Sequence, residues 1–236
     1  MEKLKFQKGN AKLGKNIHTF SLPAGHSCPF AYECAAYADE ETGKIEDGKF
    51  QRFRCFAASD EALRPTVRKA RWHNYRALLA ARSKVGMYNL IMYSFPKKAT
   101  LVRVHVSGDF FNQDYFDAWM DVAEAFKHVK FYAYTKSILY WNKRKNSIPD
   151  NFELTASMGG ASDNVVTLNN LKNVVVVFNP EEAESLGREL DHDDSHAYGQ
   201  KESFALLLHG TQKAKSEASV ALSNLRKKGH KGYSKK

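Results

Sequence analysis

Two runs, NVVVVF at 173–178 and FALLLH at 204–209, constrain this chain more than any other feature of its sequence. A strand with one wet face alternates apolar and polar residues, whereas a short run that is apolar almost throughout needs cover on both faces, as in a parallel sheet. Four further β-like runs, at 17–22, 101–106, 130–135 and 153–157, bring the expectation to about six strands. Parallel strands need crossover connections, and helical patterns lie between them. The clearest is the stripe Tyr115, Phe116, Trp119, Val122, Ala123 and Phe126, with Asn112 or Asp114 placed to accept from the free N–H groups of its first turn. A longer basic helix is expected over 61–85, with Arg64, Arg68, Lys69, Arg71, Arg76, Arg82 and Lys84 mostly facing solvent, and shorter helices over 185–191 and 212–226. Strand and helix in alternation give an α/β fold, as a complete or partial (β/α) barrel or as an open doubly wound sheet.

At 236 residues the chain is long enough for one such domain and too short for two enzyme domains with linkers. No repeat and no Pro-rich or Gly/Ser-rich linker divides it, so a single domain is expected over 1–225, followed by a basic tail over 226–236. That tail holds six of the 36 Lys and Arg residues and none of the 26 Asp and Glu, so the net charge of +10 belongs in part to the end of the chain. A cationic tail can hold polyanions without making the folded body a sequence reader. No apolar run approaches the length of a membrane span, and the first residues lack the apolar core of a secretory signal. The expectation is a cytoplasmic protein with no membrane partner.

Cys28, Cys34 and Cys55 all fall in one loop region, 26–55, between the first strand and the long basic helix, and none lies in an apolar run. An odd number of cysteines without an export signal argues against a disulfide framework. Burial as small apolar side chains is the plain explanation of free cysteines. Their confinement to one loop flanked by Gly25, His26 and Pro29 favours metal instead. Three thiolates suit three irons of a [4Fe–4S] cluster, with the fourth iron open, and they suit zinc if His26 or another residue completes a tetrahedron. The gaps of five and twenty residues match no standard zinc ribbon, and spacing does not choose between the two.

Function in parallel α/β folds gathers at the carboxyl ends of the strands, where successive loops share one crevice. Here VRVHV leads into Ser107-Gly108-Asp109, FYAY into Thr135-Lys136-Ser137, and ELTAS, ending in Ser157, into Met158-Gly159-Gly160. Each is ordinary turn chemistry taken alone, and Asp109 would serve as a helix cap. Three polar strand ends in series, on the face that the Cys loop shares, point to a site for a small polar-headed ligand. Asp109 and Lys136 are its catalytic candidates, and Ser107, Gly108, Thr135, Ser157 and Gly159 its cofactor-binding ones. The run Asp191-His192-Asp193-Asp194-Ser195-His196 is dense enough in carboxylates and imidazoles to suggest a divalent metal. Consecutive residues cannot all face one ion, so a solvated loop is the expected reading.

KLGKNIHTFSLPAGHSCPFAYEC, the downstream Cys55, VRVHVSGDFFNQDYFDAW, FYAYTKS and LLLHGTQKAKSEAS together resemble the bacteriophage gene product 88 family, over 12–223. SGDFF, FYAYTKS and IPDNFELTAS, in that order, are more distantly similar to a second phage-associated family related to radical S-adenosylmethionine enzymes. That similarity implies a single-domain partial (β/α) barrel of about six mostly parallel strands and a [4Fe–4S] cluster on Cys28, Cys34 and Cys55. It further implies S-adenosylmethionine at the open iron, cleaved reductively, with Ser107, Asp109, Thr135 and Lys136 lining the cofactor or substrate site. The sequence departs from the usual pattern in that Cys55 lies far beyond the other two, and only Phe56 stands for the aromatic beside the third cysteine. The resulting expectation is a phage-type iron–sulfur enzyme, radical-S-adenosylmethionine-like, acting on a nucleic acid or nucleotide in the host cytoplasm. Its substrate class rests on the basic tail, the basic helix and the phage resemblance. A base-exchange barrel similar to tRNA-guanine transglycosylases, with Asp109 as nucleophile and structural zinc on the cysteines, is the first alternative. A non-enzymatic, metal-stabilised nucleic-acid-binding protein is the second.

Overall fold

The computed structural model describes residues 2–9, 13 and 16–230. The chain begins with strands β1 (Gln7–Lys8), β2 (Ile17–Phe20), β3 (Ala36–Ala38) and β4 (Ile45–Asp47), followed by helices α1 (Phe56–Leu63), α2 (Pro65–Ala81) and α3 (Lys84–Ser94). Strand and helix then alternate through β5 (Leu101–Val104), α4 (Gln113–Ala125), β6 (Lys130–Thr135), α5 (Ile138–Lys143), β7 (Phe152–Ser157), α6 (Asp163–Leu168) and β8 (Asn173–Val177). The chain continues with α7 (Pro180–Ser185), α8 (Ser195–Gly199), β9 (Phe204–Leu207) and α9 (Glu217–Lys227). One seven-stranded sheet runs in the order β1-β2-β5-β6-β7-β8-β9, parallel throughout except for β1. The six expected strands are β2 and β5 to β9, each within two residues of its expected bounds. The Cys loop, expected to be irregular, folds into the β3–β4 hairpin, whose turn is closed by Asp39 accepting from the Thr42 N–H and hydroxyl.

Strand order from β2 onward follows chain order, so the sheet has no point at which the winding reverses. Right-handed crossovers then place the connecting helices, α8 apart, on one face. The side chains obey this with period two. Phe20, Val102, Val104, Phe131, Ala133, Phe152 and Leu154 face the helices, where Leu78, Ile91, Tyr115, Phe116 and Trp119 complete the main core. The alternate residues Ile17, Tyr132, Val174 and Phe204 form a second core with Ala197 and Tyr198 of α8. The Asp191–His196 run therefore does not make the solvated loop expected of it. Asp194 has no exposed surface and Asp191 is 1% exposed. Asp194 sits against this second face, accepting from Arg103 Nη1 at 2.6 Å, the Tyr132 hydroxyl at 2.9 Å and the Tyr134 hydroxyl at 3.2 Å.

The basic helix expected over 61–85 is three helices. Pro65 disfavours helical backbone at Arg64 and opens α2 as its first residue, and Arg82, with φ +58°, ends α2 before Ser83 caps α3. Arg64, Lys69, Arg76 and Arg82 are exposed, whereas Arg68 and Arg71 are buried. Asn112 caps α4, accepting from Tyr115 N–H at 2.8 Å. The short helix expected over 185–191 is replaced by α7 upstream, because Asn179 supplies the cap and Pro180 the first turn. α9 starts later than expected, at the Ser216 cap, and carries the basic end as far as Lys227. The last residues of the expected tail, 231–236, lie outside the described residues. Among the described residues no helix is long and apolar enough to cross a membrane.

Replacing Asp194 by Ala would take the carboxylate from a half-buried arginine and two phenols at once. Urea unfolding of Asp194→Ala is expected to show a loss of about 3–5 kcal/mol. A loss within experimental error of zero would mean that the α8 segment is held to the sheet by its apolar contacts alone.

Candidate functional site

The carboxyl ends of the strands meet around the Cys loop, and each expected site residue lies there. β2 and β5 are extended past their last paired residues by Val106 N–H to the Phe20 carbonyl at 3.0 Å and Leu22 N–H to the Ser107 carbonyl at 2.9 Å. Gly108 has φ +83°, and a Cβ there would come within 2.5 Å of Ser27 Oγ and 2.6 Å of Leu22 Cβ. Its lack of a side chain lets the β5 loop press directly on the start of the Cys loop. Below it lies Glu61, fully buried on α1. Its Oε1 accepts from Ala24 N–H at 2.9 Å, the Ser107 hydroxyl at 3.0 Å and Arg71 Nη1 at 2.8 Å.

The rim continues through Asp109. Its Oδ1 accepts from the Thr135 hydroxyl at 2.6 Å and Phe110 N–H at 2.7 Å, and its Oδ2 from Lys136 N–H at 2.7 Å. Burial nevertheless raises its carboxyl to about 6, against the pull of those three donors. Lys136 ties the next pair of strands: its ammonium donates to the Ser157 carbonyl and hydroxyl at 2.9 and 2.8 Å and to the Met158 carbonyl at 2.6 Å. Three acceptors match the three protons of an ammonium group. Gly159, with φ +85°, packs against Glu33 so closely that a Cβ would lie 2.8 Å from its carboxylate, and its carbonyl accepts from Glu33 N–H at 2.9 Å. The bridge between Ala31 and Gly160 completes the return to the Cys loop.

A second clamp comes from beyond β9. Gln212 accepts from Arg54 N–H at 2.7 Å and donates to the His209 carbonyl at 3.0 Å, Ser59 donates to the Thr211 carbonyl at 3.0 Å, and the rings of Phe56 and His209 lie 4.6 Å apart. Cys55 is thereby held between the first and last strands of the parallel set.

All three cysteines are unpaired and half-buried, and their charges act on one another. Burial first, then Asp109, Cys55 and Cys34 raise the Cys28 thiol well above its ordinary value. Burial and Cys34 lift Cys55 to about 11, although the N–H groups of Ala57 and Ala58 at the start of α1 favour its thiolate. Among the described residues no group of three or more His, Cys, Asp or Glu side chains is gathered closely enough to hold a single metal ion. His26 is exposed and packs between Tyr37 and Trp72, each 4.7 Å from its ring. The structure thus brings Ser107, Gly108, Asp109, Thr135, Lys136, Ser157 and Gly159 into one continuous rim around the thiols. Their polar groups hold the protein to itself. The sequence reading missed Glu61, Arg71 and Gln212, since each is a polar residue in a polar stretch and nothing in the sequence marks it as buried.

His105, which precedes Ser107, is buried with φ +71°, its Nε2 2.9 Å from the Tyr115 hydroxyl. Burial first and Arg103 second lower its pKa to about 3. The unfolded chain takes up this proton near pH 6.5 and the folded one only near 3, so the group removes stability as pH falls through that window. His105→Asn tolerates the positive φ and removes the titration. Between pH 7 and pH 5 the variant is expected to lose about 2 kcal/mol less than the unmodified protein. Equal losses in urea titrations would show that His105 is protonated in the folded state.

No curated protein and no solved structure matches the chain. The family model for gene product 88 matches residues 3–227, nearly the whole chain and every residue of the rim. The chain belongs to the gene product 88 family.

Proposed function

We propose that this protein is an iron–sulfur enzyme, radical-S-adenosylmethionine-like, built on a partial (β/α) barrel, with Cys28, Cys34 and Cys55 as the ligands of a [4Fe–4S] cluster. The observation that carries this reading is the gathering of the chain's three cysteines, from either side of the β3–β4 hairpin, at the carboxyl ends of six parallel strands, where Cys34 helps to raise the thiols of Cys28 and Cys55. The donor set fits the group: three soft thiols, partly exposed. A cluster spreads its thiolates over separate irons and so asks for a wider set than a single ion. Strand order equal to chain order supports the barrel, because it is the winding a barrel needs and a doubly wound sheet lacks.

When bound, such a cluster supplies a single electron to S-adenosylmethionine at its open iron. The chain's own residues hold the loops. Glu61 fixes the start of the Cys loop to β5, Asp109 fixes β5 to β6, and Lys136 fixes β6 to β7. In this reading Asp109 and Lys136 are positioning residues, and a nucleic acid or nucleotide is the substrate. The base-exchange alternative draws less support, since it asks Asp109 to attack while both its oxygens accept hydrogen bonds.

Protein purified without oxygen is expected to carry iron and acid-labile sulfide in equal amounts, near four of each per chain, with broad absorbance near 400 nm, as a four-iron cluster requires. Cys28→Ala, Cys34→Ala and Cys55→Ala should each lose the iron. One zinc per chain with no sulfide would overturn the proposal.

A further inference from the structure

Tyr32 and Phe50 stand out from the rest of the Cys loop, being 46% and 57% exposed. They are stacked on each other, ring centroids 5.2 Å apart and planes 19° from parallel. The turns that carry them are tied by main-chain bonds, Gly48 N–H to the Ala35 carbonyl at 2.7 Å and Arg52 N–H to the Glu33 carbonyl at 2.8 Å. The pair is therefore fixed by backbone on both sides while about half of its surface remains in water. Rigid aromatic surface of this kind, left exposed, marks a contact site. Lys49 reaches over the Phe50 ring, its ammonium 5.3 Å from the centroid, which leaves the outer face of Tyr32 for stacking. Tyr32 is two residues from Cys34 in sequence, so the pair borders the thiols.

We infer that Tyr32, Phe50 and Lys49 form a stacking platform that receives an unpaired nucleobase and its phosphate, so that this protein takes single-stranded nucleic acid at the edge of its thiol site. Every base presents a π face, so an aromatic pair binds single strands with little regard to sequence. An adjacent ammonium meets the phosphate that each base brings with it. Two rings with a cation at their side are too small and too polar in their surroundings for the apolar centre of a protein–protein interface. A paired base keeps its faces inside the duplex, which makes the platform selective for single strands. The inference rests on the nucleic-acid part of the function proposed above and is independent of the cluster.

The test is fluorescence anisotropy with the full-length protein and a labelled single strand of about twelve nucleotides, within the usual range of site sizes, set against a duplex of equal length. Tyr32→Ala and Phe50→Ala are each expected to weaken single-strand binding about 5- to 100-fold, with melting temperatures unchanged because both rings are exposed. Phe50→Trp should keep the affinity and lose indole fluorescence on binding. Lys49→Gln should make the salt dependence shallower. If the unmodified protein binds single strands and both alanine variants match it, the platform is wrong and the substrate class stands. If the protein binds duplex and single strand equally and its variants do not differ, the platform is also wrong. If the protein binds no nucleic acid, both platform and substrate class fall, while the iron and sulfide content still decides the cluster.

Discussion

Glu61 has no exposed surface, and four separate parts of the chain meet at one of its oxygens. The backbone of Ala24 brings the start of the Cys loop, Ser107 brings the end of β5, Arg71 brings α2, and Glu61 itself brings α1. A carboxylate so deep is tolerable only because a guanidinium and two further donors face it, and removing the guanidinium would leave charge without compensation. Arg71 is in turn completed by the Ala57 carbonyl and Asp60, and Arg68 binds the Glu61 carbonyl at 2.6 Å together with two carbonyls of the β3–β4 turn. Two arginines thus lock the hairpin and the first helices to the sheet. The thiol region inherits its shape from this lock, because Cys28, Cys34 and Cys55 all lie between Ala24 and Glu61, whose ends the lock joins.

From that point the loops are fastened in relay. Glu61 joins the Cys loop to β5, Asp109 joins β5 to β6, Lys136 joins β6 to β7, and the backbone of Glu33 joins β7 back to the Cys loop. The first three links are each one charged side chain whose hydrogen bonds reach a neighbouring strand end, and the fourth is main chain. The rim is polar, yet much of that polarity is turned inward. The opposite face of the sheet follows the same rule, with Asp194 gathering Arg103 and two tyrosines under the α8 segment.

Much of this was legible in the sequence because the signals were local. A strand covered on both faces must be apolar at successive positions, and β8 and β9 are. A helix packed on a sheet must repeat at three and four, and α4 does. The strand ends at Ser107, Thr135 and Ser157 could be placed because glycine and small polar residues follow each run. What could not be read was the partner of each polar group. Lys136 and Asp109 look like free ligands for a substrate until the carbonyls and N–H groups around them are seen, and Glu61 and Asp194 look like solvated charges because their partners lie 46 and 62 residues away. The single basic helix failed for a local reason that carried too little weight: Pro65 breaks it. α7 was misplaced likewise, by overlooking the Asn179-Pro180 cap.

The clamp between Arg54 and Gln212 joins residues 158 apart in sequence. During synthesis Cys28, Cys34 and Cys55 leave the ribosome long before β9 and the segment that follows it. Contacts of such wide separation form late, since the entropy of closing the long loop is spent before the contact rewards it. The segment around Cys55 therefore reaches its final place only with the last strand of the fold, and a chain that has folded only its first half carries all its cysteines without the clamp that fixes the third.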